Sequence, residues 1–188
     1  MSNEQSIKLP LWAELPQLSL HLDQLLDITN MYLEPIIGDA ITKTMMHNYF
    51  KADIIIPPVK KRYSQKHVAG AIVVGLLKNV FTLDEIKQAL VWILADATAQ
   101  QGYDNFVKMF NEQAAKPQLE PASVTSIDLD QASQSTVLQY EAVQSILYWL
   151  AAKNRLAAAV KAKTIDYQHR VTDACGGAFF LGVVSRET

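Results

Sequence analysis

No stretch of five or more residues in this chain alternates apolar and polar side chains convincingly, which leaves little from which to build a β-sheet. What recurs is apolar spacing of three and four. Leu22, Leu25, Leu26, Thr29 and Leu33 repeat at helical pitch between residues 18 and 37. Gly38-Asp39 is a turn, and residues 42–51 form a second helix with Met45, Met46 and Tyr49 on one side. The β-branched run Ile54-Ile55-Ile56, followed by Pro57-Pro58, favours extended chain and a turn. A small hairpin between Ile54 and Tyr63 is the one β element expected.

Ser64 can cap a third helix reaching about Asn79, apolar on most sides and therefore buried. Thr82-x-x-Glu85 is a capping box that opens a fourth helix through about Ala99. Gly102 is expected to break the pattern, with a fifth helix over residues 104–115. Residues 116–135 carry Pro117 and Pro121 among Ser and Thr and read as a linker or long loop. Residues 136–163 have no Gly or Pro and are rich in Ala and Leu, one long helix. Its apolar residues lie on more than one face, Val143, Ile146, Leu147 and Leu150 but also Trp149, Leu156 and Val160, so it needs cover from this chain or a second copy. Residues 174–184 are short, apolar and Gly-punctuated, a segment that docks rather than spans. Near the start, Pro10 and Pro16 bracket an extended lead that Trp12 pins to the body. The fold class expected is mostly α, divided into residues 1–99 and a helical half, residues 100–188, that dimerises or senses a ligand.

Composition narrows the function. A chain of 188 residues with 49% hydrophobic side chains has enough to bury a real core. One cysteine excludes an internal disulfide framework and a Cys-only zinc cluster, and fits a reducing compartment. The longest apolar run, residues 68–77, is half of what a membrane crossing needs, and MSNEQSIKLPLW has no apolar core of signal-peptide length. A cytoplasmic protein with no membrane partner is expected.

The overall charge is only −2, but its distribution is uneven. Between residues 42 and 67 stand Lys43, Lys51, Lys60, Lys61, Arg62 and Lys66 against Asp53 alone, a local balance of +5. The remainder carries 11 basic and 18 acidic residues, a balance of −7. A basic island in an acidic body suits a protein that meets phosphate with one face, although a merely solvated basic surface would look the same. The order of elements sharpens the first reading: helix, turn, short helix, basic hairpin, helix is the order of a winged helix-turn-helix. Met45, Met46 and Tyr49 would hold the short helix, leaving Lys43, Thr44, His47, Asn48 and Lys51 for base edges and phosphates.

At these residues the chain resembles known families. LPLWAELPQLSLHLDQLL at residues 9–26 and ITKTMMHNYFKADIIIPPVKKRYSQKHVAGAIVVGLLKNVFTLDEIKQAL at residues 41–90 closely resemble the bacterial family catalogued as domain of unknown function 1836, DUF1836. A more distant resemblance is to the DNA-binding half of the mercury-resistance-regulator (MerR) family of transcription factors. It rests on His47-Asn48-Tyr49-Phe50, Asp53-Ile54-Ile55-Ile56-Pro57, Lys61-Arg62-Tyr63-Ser64 and Val80-Phe81-Thr82-Leu83-Asp84-Glu85-Ile86. Carried over, that resemblance implies a MerR-like winged helix-turn-helix with His47 and Tyr49 at phosphate-contacting helix positions and Lys61 and Tyr63 at wing positions. His47 stands where the family has Arg, and Asp53 where it has a turn Gly.

Other chemistry finds no footing in the sequence. The four histidines are scattered, no His, Cys and carboxylate set has metal-ligand spacing, and GxSxG, P-loop and GxGxxG patterns are missing. Neither catalytic residues nor a cofactor is expected. Trp92, Tyr140, Tyr148 and Trp149 read as core aromatics, with a ligand pocket as the alternative. The expected function is a homodimeric, sequence-specific regulator of transcription that binds double-stranded DNA. Its DNA-binding residues would be Lys43, Thr44, His47, Asn48, Tyr49, Lys51, Lys60, Lys61, Arg62, Tyr63 and Lys66. A small-molecule effector is compatible with that role. The alternative is a protein-interaction or small-molecule-binding module that keeps the helix-turn-helix as a scaffold.

Overall fold

The computed structural model describes residues 8–115, 128 and 130–179. Among these the protein is mostly α-helical: α1 (Leu22–Ile37), α2 (Lys43–Lys51), α3 (Gln65–Leu77), α4 (Leu83–Asp96), α5 (Ala99–Ala114) and α6 (Gln134–Phe179). It divides into a compact unit, Met1–Trp149, and a second unit, Leu150–Thr188. The boundary expected at residues 99 and 100 falls at the start of α5, which belongs with the elements before it. No described helix is long and apolar enough to cross a membrane.

The centre of the first unit is α3. Every residue from His67 to Leu77 except Gly70 is buried, so this helix has no solvent face to orient it and needs neighbours on all sides. Its main neighbour is α1, which contributes Leu25, Leu26, Leu33 and Ile37. They approach closely at Gly75, where a Cβ would run into Leu33 and stand 3.1 Å from Cδ1 of Ile41. Glycine therefore sets how near the two helices come.

The connections are fixed by side chains that copy backbone pairing. Asn30 of α1 accepts from the Ile41 N–H at 2.7 Å and donates to the Ile41 carbonyl at 3.0 Å, which fixes the start of α2 relative to α1. Asn111 of α5 does the same for Leu9, at 2.7 and 2.9 Å. The lead is held further by Asp104, which accepts from the Trp12 N–H, and by Tyr103, whose hydroxyl donates to the Pro10 carbonyl at 2.9 Å. Trp12 packs edge-on against Tyr103, as its pinning role requires, and Leu9 and Leu15 are buried.

Several boundaries differ from those expected. The first helix begins at Leu22, because the Leu20 backbone pairs instead with Tyr63 and the His21 N–H is capped by Gln24. Gly102 breaks nothing. Thr98-x-x-Gln101 is a capping box, and Gly102 sits in the first turns of α5 with its open side toward Ile93 and Leu94 of α4. The last helix runs from Gln134 to Phe179, so residues 174–179 continue it rather than forming a separate segment. Residues 180–184 and most of the expected linker lie outside the described residues. On α6 in the first unit Val143, Ile146 and Leu147 are buried; in the second unit Leu156 and Val160 are exposed.

Gly75→Ala is expected to force a methyl group into the α1–α3 contact, where the facing Leu33 and Ile41 are fully buried. Overpacking of this kind costs about 1–3 kcal/mol, readable as a lower urea midpoint with an unchanged slope.

Candidate nucleic-acid interface

Helix α2 is two-faced. Thr42 caps it, its hydroxyl accepting from the Met45 N–H at 3.3 Å. Met46 and Tyr49 are buried at 0% and 3% exposure, whereas Lys43, Thr44, His47, Asn48 and Lys51 are exposed. Both faces match the expected spacing, with Met45 only half-buried, but Tyr49 was also expected to touch phosphate. Its hydroxyl is buried without a hydrogen-bond partner, and burial pushes its pKa up to about 12. Tyr49 therefore anchors the helix, and its expected placement at a phosphate-contacting position is corrected.

The helix ends in a Schellman turn. The Ile54 N–H donates to the Tyr49 carbonyl and the Asp53 N–H to the Phe50 carbonyl, at 3.0 and 3.1 Å. Asp53 takes the left-handed backbone with φ 54°, a role usually given to glycine.

Beyond the prolines the chain reverses in two residues. The Arg62 N–H donates to the Val59 carbonyl at 2.9 Å, and Lys60 and Lys61 between them have φ of 50° and 58°. Positive φ at both central positions is the signature of a type I′ hairpin turn, which favours Asn-Gly because side chains there crowd the backbone. Two lysines in those positions put two cations at the exposed tip of the hairpin, against local preference. The hairpin expected between Ile54 and Tyr63 is thus a tight turn with isolated bridges, Val59 to Arg62 and Tyr63 to Leu20, rather than a ribbon of strands.

An aromatic cluster ties this hairpin to α2 and α3. Phe50 stacks on Tyr63 with ring centroids 5.9 Å apart, and His67 meets both rings edge-on at 6.3 and 5.4 Å. Tyr63 is only 5% exposed and burial raises its pKa, so its ring is part of this packed cluster. His67 replaces the usual Glu or Gln of a capping box. Its Nδ1 accepts from the Ser64 N–H at 2.9 Å, which leaves the proton on the buried Nε2. Burial lowers its pKa, opposed by the backbone at Pro57, Ser64 and Ile56.

Two of the expected contacts are already engaged. Lys43 forms an exposed ion pair with Asp23 of α1 at 2.6 Å, and Arg62 lies 2.8 Å from Nε2 of His21 at the start of α1. Lys43 stands in the first turn of α2, where the helix dipole disfavours a cation, and Asp23 offsets that cost. Lys66 is exposed in the first turn of α3. Asp53, the one acidic residue of the basic segment, reaches Lys87 of α4 at 3.6 Å. Sequence reasoning had no signal for the His67 cluster, because its members lie 4 to 17 residues apart and form no motif.

Comparison with known families adds one finding. A family model described as a domain of unknown function (DUF1836) matches residues 10–112. No curated protein and no solved structure matches the chain.

Two outcomes follow. His67, with its pKa lowered in the fold, binds fewer protons there than in the unfolded chain, so stability should fall as pH drops below about 6.5. His67→Gln keeps an acceptor for Ser64 and should flatten that dependence in urea titrations at pH 5.5 and 7.5. Replacing Lys60-Lys61 by Asn-Gly should relieve the turn and raise stability by about 1 kcal/mol in the same assay.

Proposed function

The chain belongs to the DUF1836 family, whose model covers its first five helices almost entirely, and we propose that this segment is a winged helix-turn-helix that binds double-stranded DNA. The observation that carries the reading is the division of α2 into a side with buried Met46 and Tyr49 and an exposed polar side. A helix enters a major groove only when it is held from behind and leaves donors free in front. Asn48 and Lys43 have the hydrogen-bonding capacity to read base edges, and Thr44 suits a thymine methyl or a phosphate. His47, Lys51, Lys60, Lys61, Arg62 and Lys66 supply phosphate contacts, which fix register without reading sequence.

The strained turn supports the same reading. A Lys-Lys tip in a backbone conformation that prefers Asn-Gly sacrifices stability to place charge, the kind of local cost that marks working surfaces. The ion pair of Lys43 with Asp23 is 60–70% exposed and therefore weak, so phosphate can displace it. A homodimer presenting two such helices doubles the groove contacts, and the exposed Leu156 and Val160 of α6 are apolar surface that a second copy would cover.

The full-length protein should bind mixed-sequence duplex DNA with an affinity that falls steeply with salt. A dimer neutralising about 4–8 phosphates gives a log–log slope of about −4 to −7. Replacing Lys60-Lys61 by Asn-Gly should flatten that slope by roughly 2 per protomer while leaving the fold more stable. Asn48→Ala should chiefly relax sequence preference in a selection from random duplexes. No binding at low ionic strength, or a slope indifferent to the hairpin lysines, would overturn the reading and leave α2 and the hairpin as scaffold.

A further inference from the structure

Helix α4 is the least covered α-helix of the first unit. Of its residues only Ile86 is buried, while Val91, Trp92 and Leu94 are 67%, 47% and 45% exposed. Between it, α3, α5 and the start of α6 lies a cavity of about 500 Å³, a size typical of sites for small organic molecules. All of its walls belong to the first unit. Val73, Leu77, Ile93 and Phe106 are representative of the lining, and Trp12 and Trp92 also border it. Charge is sparse there, confined to Lys66 and Glu85. Glu85 is already engaged with the Thr82 backbone and hydroxyl at 2.7 Å, with its pKa lowered by those bonds.

One polar group in this lining lacks a partner. Gln139 of α6 is 6% exposed, borders the cavity, and has a buried Oε1 with no hydrogen bond. A buried amide oxygen normally finds a donor, because leaving it unpaired forfeits the hydration it had in the unfolded chain. That oxygen is closed to solvent, so a guest's hydroxyl reaches it once the amide turns about its last torsion, which is broad in glutamine.

We propose that this cavity binds an uncharged lipophilic molecule carrying one hydroxyl, with the hydrocarbon body against α3, α4 and α5 and the hydroxyl donating to Gln139 Oε1. The apolar walls account for the body. The missing donor accounts for the hydroxyl, and the sparse charge argues against an ionic ligand. This inference is independent of DNA binding.

The test uses a matched pair of probes, 4-heptylphenol and its methyl ether 4-heptylanisole, titrated into the full-length protein. Calorimetry reports affinity, and tryptophan fluorescence reports occupancy beside Trp12 and Trp92. The phenol should bind roughly ten- to a hundredfold more tightly than the ether, as one buried hydrogen bond implies. Gln139→Leu should bring the ratio close to one while retaining the ether, and Ala89→Phe, which puts a ring into the cavity, should weaken both. Circular dichroism checks the fold of each variant, and the preference of the unaltered protein decides alone if Gln139→Leu does not fold. Failure of both probes to bind, equal binding by the unaltered protein, or a preference that survives Gln139→Leu would overturn the proposal. So would binding that disappears as protein concentration drives self-association, which would give the α4 face to a second copy.

Discussion

The contact on which the rest of the first unit depends is the approach of α1 to α3 at Gly75. Helix α3 is buried on nearly every side, so it cannot be oriented by a polar face and takes its position from what packs against it. With no side chain at Gly75, Leu33 and Ile41 settle against the helix itself. Ile41 is also the residue that Asn30 clamps by both its N–H and its carbonyl. One close approach therefore fixes the helix pair and, through the following residue, the cap of α2. The exposed face of α2 is an indirect product of a missing methyl group on the next helix.

The two asparagine clamps perform the same task at opposite ends of this unit. Each replaces a pair of backbone partners at a place where the chain is neither helix nor strand, pairing both the N–H and the carbonyl of one residue. The aromatic cluster of Phe50, Tyr63 and His67 acts differently. Its rings make the hairpin, α2 and α3 share one packed surface, and His67 adds a bond to the Ser64 N–H, so the hairpin lysines are carried on a packed base.

Much of this was legible in the sequence, for local reasons. The faces of α2 follow from spacing alone, with Met46 and Tyr49 falling on one side and Lys43, Thr44, His47, Asn48 and Lys51 on the other. Thr82 marks a helix start because its hydroxyl accepts from a free N–H, and Ser64 marks another, although its hydroxyl meets His67 Nδ1 instead. What escaped depends on tertiary context. Gly102 looks like a breaker until α4 is seen beside it. The extent of α6 was hidden by Gly176-Gly177, which the helix accommodates. Tyr49 has a hydroxyl that spacing and resemblance assign to phosphate, whereas the fold buries it. Gln139 gave no signal, since nothing in its neighbours says that its amide is buried and unmatched.

The uneven covering of α3 and α4 has a kinetic consequence. A helix enclosed by its neighbours releases its amide hydrogens only when the whole unit opens, whereas one resting on a single buried side chain can lift away alone. Deuterium should therefore enter α4 long before α3, and anything that wedges itself beneath α4 would narrow the gap between them.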